Sequence, residues 1–238
     1  MSGDATALER ERSVVEILRD ALRLYRRYPL LFAVLAAVVF VPYGVIEALA
    51  TGSGPAAGTH AGGSASLRFV FAFLPTTLVY PLISAFDIHA MVTIDRGDEP
   101  RLAAVLLCGL RVLPVVLAAE IMANLAVIVG LILFIVPGIV LSLRFAVTAQ
   151  AAAVEPGDWI AALRRSGRLA SGNYLHVLGA VFIPALVVAA LDAGAHALPL
   201  GRASGVPSVA VAIALGTIGA SFVALCTTLL YYDLRARH

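Results

Sequence analysis

From Val112 to Val136 the chain reads VLPVVLAAEIMANLAVIVGLILFIV, 25 residues with a single charge, Glu120. Lipid offers a bare backbone no hydrogen bonds, so an apolar run of about 20 residues is stable there as a helix that satisfies its own N–H and C=O groups. Five further runs share this character: Pro29–Ala50, Phe69–Ile94, Gly138–Val154, Asn173–Leu198 and Ser208–Tyr231. Only Pro137 and Gly138 stand between the third and the fourth, and that pair predicts a tight turn between two helices.

Composition points the same way. Of 238 residues, 61% are hydrophobic and 13% charged, and the charged share is about half that of a soluble domain. The mean hydropathy is +0.94. A water-soluble chain of this length needs far more polar surface to cover its core. All 17 basic side chains are arginine. A net charge of +2 gives no reason to expect a nucleic-acid partner. Cys108 and Cys226 lie inside apolar runs without metal-ligand spacing, so neither a disulfide nor a metal is expected.

The arginines set an orientation. If six helices alternate, the N-terminal segment, the Asp95–Val112 and Glu155–Asn173 connections and the C-terminal tail share one side and hold 14 of the 17 arginines. Arg68 and Arg202 fall on the other side, and Arg144 lies within the fourth run. Arginine-rich loops stay in the cytoplasm, so both termini are expected inside. Residues 1–28 then form a cytoplasmic amphipathic segment, 29–231 a six-span bundle and 232–238 a cytoplasmic tail. Ala48-Leu49-Ala50 has the small-x-small form of a signal cleavage site, but the long, partly acidic segment before it argues against cleavage.

Before each odd-numbered span lies a short segment of helical periodicity. Ser13-Val14-Val15-Glu16 reads as a capping box, after which Val14, Val15, Leu18, Ala21, Leu22 and Tyr25 share a face. Leu102, Val105, Leu106 and Leu110 repeat the pattern, and a third segment begins near Asp158 with Trp159, Ile160 and Leu163. The expectation is three units, each an interfacial amphipathic helix followed by a helical hairpin. All three enter from one side, unlike the inverted repeats of many secondary transporters. Helices of this kind lie among headgroups, where arginines meet anionic lipid.

Ionisable groups inside spans are the candidates for function or for pairing. Arg144 is expected about six residues below the outer turn, roughly 9 Å deep at 1.5 Å per residue. By the same rise Glu120 sits about 15 Å away along the axis, whereas Asp192 and Glu47 match Arg144 in depth and are its expected partners. Glu120 and Asn124 share a face, as do Asp192 and His196. Thr77, Tyr80, Ser84 and Asp87 form a polar stripe on the second span, and Thr217, Ser221, Thr228 and Tyr231 one on the sixth. Such stripes suit hydrogen bonds between helices or, alternatively, a hydrated path. No zinc-protease, P-loop or nucleophile-elbow motif is present, so no catalytic, cofactor or metal residue is assigned.

Three stretches carry a family resemblance: LRDALRLYRRYP at 18–29, VPGIVLSLRFAVTAQAAAVEPGDWIAALRRSGRLASGNYLHVLG at 136–179, and TTLLYYDLRARH at 227–238. Together they resemble the membrane domain fused to some bacterial glycerophosphodiester phosphodiesterases, and related six-span bacterial membrane proteins. The matching features are Pro137, Gly138, Arg144, Glu155 and the Tyr231–Arg235 end. They are structural rather than catalytic, and the chain carries no phosphodiesterase domain, so the resemblance implies no hydrolysis. The sequence therefore reads as an all-α polytopic protein of the bacterial cytoplasmic membrane. Its expected role is a non-catalytic module for envelope or lipid metabolism, with lipid and a membrane protein as partners; a small-molecule or lipid transporter is the alternative. Topology reporters fused at the C-terminus and inserted at Gly62 should read cytoplasmic and external respectively, and an external C-terminus would overturn the map.

Overall fold

The computed structural model describes residues 8, 10–51, 71, 74–155, 157–197 and 206–238, without the side chains at 51, 76, 192, 195–197 and 206–209. The glycine-rich connection at 52–66 lies outside the described residues. Among them there is no strand. The helices are α1 (Val14–Arg27), α2 (Pro29–Thr51), α3 (Tyr80–Asp95, entered through a π-helical turn at Pro75–Val79) and α4 (Leu102–Leu133). After them come α5 (Ile135–Arg144), α6 (Thr148–Val154), α7 (Trp159–Ala170), α8 (Tyr174–Ala197) and α9 (Val206–Ala236).

Six segments are long and apolar enough to cross a membrane: Pro29–Ala50, Thr77–Asp95, Leu102–Leu133, Ile135–Val154, Tyr174–Leu191 and Ala210–Ala236. Leu30, Ile132 and Leu175 are 79%, 79% and 86% exposed within them. Apolar faces of that extent belong against lipid, not water. The chain is an all-α polytopic membrane protein.

At the centre stands α9, which packs on α2, α3 and α8 and also meets α1, α6 and α7. Close approach explains its small residues. A Cβ on Gly216 would lie 2.5 Å from the Phe40 ring of α2, and one on Gly219 2.4 Å from Val188 of α8. In lipid, where apolar transfer no longer drives association, such close packing is the main glue.

The hairpin between the third and fourth spans turns elsewhere than the sequence suggests. α4 ends at Leu133, Phe134 is extended (φ −157°, ψ 141°), and Pro137 and Gly138 lie in the first turn of α5. Proline is tolerated there because the first four helical N–H groups have no intrahelical partner. Gly138 serves packing: a Cβ there would lie 2.5 Å from the Leu131 side chain and 2.7 Å from its backbone nitrogen.

Two further expectations are corrected. The fourth span is two helices, broken between Arg144 and Thr148. The second interfacial segment is no separate helix, since Leu102 to Leu133 is continuous and runs on through Pro114. By contrast, Tyr28 parts α1 from α2, and Gly172, at φ +81°, helps part α7 from α8. The polar tail expected from residue 232 is also helical, because α9 runs on to Ala236.

The capping box forms as expected, with Ser13 N–H donating to the Glu16 carboxylate at 2.7 Å and Glu16 N–H to the Ser13 hydroxyl at 3.3 Å. Those bonds hold the Glu16 carboxyl below its usual range. The buried face of α1 is rotated from the expected one: Ile17, Asp20 and Ala21 are buried, whereas Val15 and Leu22 are exposed.

Gly109 of α4 offers a test of the packing. A Cβ there would meet the Phe86 ring of α3 at 2.2 Å, while Gly194 of α8 has nothing within 4 Å. Gly109→Ala should cost about 1–3 kcal/mol of stability through overpacking. Gly194→Ala should be neutral or stabilising by up to about 1 kcal/mol through helix propensity. Mixed-detergent unfolding measures both.

Candidate functional site

Arg144 does not take up the expected pairing. Its guanidinium lies over α7, where a Cβ on Gly167 would sit 2.6 Å from the Arg144 Nε, and Ser166 donates to the Arg144 carbonyl at 2.9 Å. Among the described residues no ion pair reaches it. α7 immediately precedes α8, whereas Asp192 lies 18 residues along α8 from Tyr174, about 27 Å along its axis. The Asp192 side chain, like that of His196, lies outside the described residues. Glu47 is hydrogen-bonded to Tyr43 on its own helix. The break after Arg144 is the physical reason: it turns the chain so that the arginine faces α7 rather than the distal ends of α2 and α8.

Glu120 and Asn124 do share a face. The Asn124 amide donates to the Glu120 carbonyl at 2.9 Å, and the Glu120 carboxylate is turned toward the Ala149 N–H in the first turn of α6. Breaking the fourth span leaves first-turn N–H groups without backbone partners, and Glu120 faces that need.

The polar stripes point into the bundle. Ser84, Asp87, Thr217, Ser221 and Thr228 are all buried. Thr217 and Thr228 bond back to carbonyls four residues earlier, at 2.7 and 2.8 Å. Ser221 reaches the Phe32 carbonyl of α2 at 3.2 Å, and the Tyr231 hydroxyl donates to Glu155. Asp87 stands apart: it is fully buried and neither carboxyl oxygen has a hydrogen-bond partner.

The densest charge network joins the two chain ends, and sequence reading missed it. Asp233, with no exposed side-chain surface, accepts from the Arg12 backbone N–H, from His176 of α8 at 2.8 Å and from Arg237 at 3.0 and 3.1 Å. Arg237 also donates to the Arg12 carbonyl at 2.8 Å. Asp20 of α1 gathers Arg10 at 2.6 Å, the buried Arg12 at 3.2 Å and Arg23 at 3.3 Å. Burial pushes the Arg12 pKa down and its bond to Asp20 opposes this, while the bond to Asp233 raises that of Arg237. On the same side Arg165 pairs with Glu155 at 2.6 Å, and His238 reaches the Leu169 carbonyl at 3.2 Å. The signal available in sequence was one acid, Asp233, four residues before Arg237 at the end of an apolar helix.

These groups hold helices together; among the described residues no group of three or more His, Cys, Asp or Glu is placed to hold a metal ion. A groove of about 490 Å³ opens sideways between α4 and α5, lined by Met122, Leu125, Val129, Phe134, Pro137 and Leu141 among others, almost wholly apolar. Arg144 lies one turn beyond Leu141. No protein-family model, no curated protein and no solved structure matches the chain.

Asp233→Ala strips Arg237, His176 and the Arg12 N–H of an acceptor at once. Removing one member of a buried charge network costs about 3–5 kcal/mol, so α1 should detach: proteolysis between residues 14 and 27 should speed up markedly in intact detergent-solubilised protein. Glu16→Ala, at an exposed cap, should change the rate far less.

Proposed function

We propose that the protein is a non-catalytic module of the bacterial cytoplasmic membrane that supports lipid or envelope metabolism, with both termini in the cytoplasm. The observation that carries this reading is the lateral groove between α4 and α5 with Arg144 at one end of its α5 wall. Pro137, Leu141 and Arg144 are spaced i, i+4, i+7 and so lie on one face of α5. A phospholipid chain fits an apolar trough of that kind, and its phosphate fits an arginine that has no acidic partner among the described residues.

The arginines of α7 favour the same ligand. Arg164 and Arg168 are exposed, four residues apart, and flank the glycine against which Arg144 lies. Val15 and Leu22 of α1 are exposed beside an arginine-rich surface, as suits a helix at headgroup depth. The burial of the polar stripes weighs against a hydrated path and so against the second reading, a small-molecule or lipid transporter. One observation favours that second reading, the unpartnered Asp87 carboxyl.

Purification in mild detergent, with identification of co-purifying lipids and proteins, tests the proposal. Wild-type protein should retain anionic phospholipid together with an enzyme of lipid or envelope metabolism. Val129→Trp, which fills the groove, and Arg144→Gln should each reduce the retained lipid severalfold. Protein-dependent lipid scrambling or solute uptake in reconstituted vesicles would overturn the module in favour of transport.

A further inference from the structure

Asp87 sits near the middle of α3 with no exposed surface, and neither carboxyl oxygen meets a donor. Gln150 of α6 is 2% exposed, and its side-chain oxygen is likewise without a partner. Three acceptor atoms on two packed helices therefore share one deficiency, the lack of a hydrogen.

The orientation of Gln150 is fixed by its neighbour. The Thr227 hydroxyl of α9 donates to the Ala224 carbonyl at 2.9 Å, so its one hydrogen is used and it can only accept from Gln150. The Gln150 amide nitrogen accordingly faces Thr227, at 3.0 Å. Flipping the amide would set two acceptors face to face, so the Gln150 oxygen must look elsewhere for a donor.

Helix register brings Asp87 to the same level. Val79 and Ile83, leading into and within α3, pack in one cluster with Ala220 and Ala224 of α9. Both helices run toward the side that carries the chain ends, so a step of four residues along each moves the contact one turn. That step pairs Asp87 with Thr228, next to the threonine that holds Gln150. α3 packs against α6 as well as α9.

Among the described residues no cation serves the carboxyl. From α1, Tyr25 is the titratable group that feels the charge of Asp87, and it offers no positive charge. Glu120 of α4 is turned to Ala149, Tyr231 of α9 is bonded to Glu155, and His89 on α3 itself is turned to the Cys108 carbonyl. Cys226 is a buried thiol on α9, α6 has no titratable residue, and on α2 Glu47 lies beside Tyr43, whose hydroxyl donates to the Phe71 carbonyl at 2.8 Å. An ionised carboxylate in such a place, unpaired in a low-dielectric bundle, is strongly disfavoured against its neutral acid.

We propose that Asp87, Gln150 and the Thr227–Thr228 turn form a proton-binding site inside the bundle, in which Asp87 is a neutral carboxylic acid at physiological pH and donates its hydrogen to the Gln150 oxygen. One bound proton removes the charge and supplies the missing donor. The site is independent of the lipid groove, and its test does not depend on lipid retention.

The proton leaves a linkage signature. A carboxyl that is neutral when folded and ionised when unfolded takes up one proton on folding above about pH 4, so the folding constant falls as pH rises, by about tenfold per unit, until the folded acid itself ionises. Reversible mixed-detergent unfolding of the full chain should show this slope between pH 5 and 7 for wild type relative to Asp87→Asn, which keeps the shape and carries no titrating proton. Asp87→Ser is the second neutral variant should the asparagine fail to fold, and it should remove the same slope. Gln150→Leu should leave the slope in place while lowering stability at every pH. Parallel pH profiles for wild type and the neutral variants would overturn the proposal. So would stabilisation of wild type by sodium at fixed pH that Asp87→Asn abolishes, since the occupant would then be a metal cation.

Discussion

In hydrocarbon a peptide N–H or C=O finds no partner except another part of the chain, and that constraint runs through every feature of this molecule. It makes each span a helix and turns each interruption into a problem to be solved locally. The extended Phe134 link sits at the tip of a hairpin, where Pro137 leaves one N–H fewer to satisfy. The break between α5 and α6 lies deeper, and there Glu120 and the Ser166 hydroxyl face the backbone groups the break exposes. At that break, charged and hydroxylic side chains stand in for helical backbone bonds.

The six spans were legible because hydropathy over 20 residues reports a solvent, and that holds whatever the helices pack against. Their internal breaks were not. Pro137-Gly138 looks like a turn in sequence, yet proline fits a first helical turn and the glycine answers to Leu131 across the hairpin, a contact no local pattern reveals. Leu102 to Leu110 resembles a separate interfacial helix because its periodicity is right, but nothing there ends a helix, so it continues into the span.

Polar residues were harder still. Counting from Pro137-Gly138 gives Arg144 a depth that the turn at Phe134 changes, and with it the match in depth to Asp192 and Glu47. Asp87 and Glu120 were recognisable as buried acids, but nothing in the sequence distinguishes one turned to a helix terminus from one turned to nothing. Asp233 reads in sequence as a surface acid, since it lies at the expected edge of the last span, where an acid normally faces water. The structure places it among three basic or N–H donors instead. What sequence cannot carry in such cases is which side chains meet across helices.

The bond between the Arg12 backbone and Asp233 spans 221 positions of a 238-residue chain. In the order of synthesis α1 comes well before α9, which carries the acid that anchors it. Until α9 is in place α1 lacks the Asp233 acceptor and is held by its packing on α2 and α8 and by the membrane surface. Loop closure over that distance comes late in folding. Docking of α1 therefore reports on the placement of α9: a variant in which α9 fails to pack leaves the Arg12 N–H and His176 without their shared acceptor and α1 loosely held.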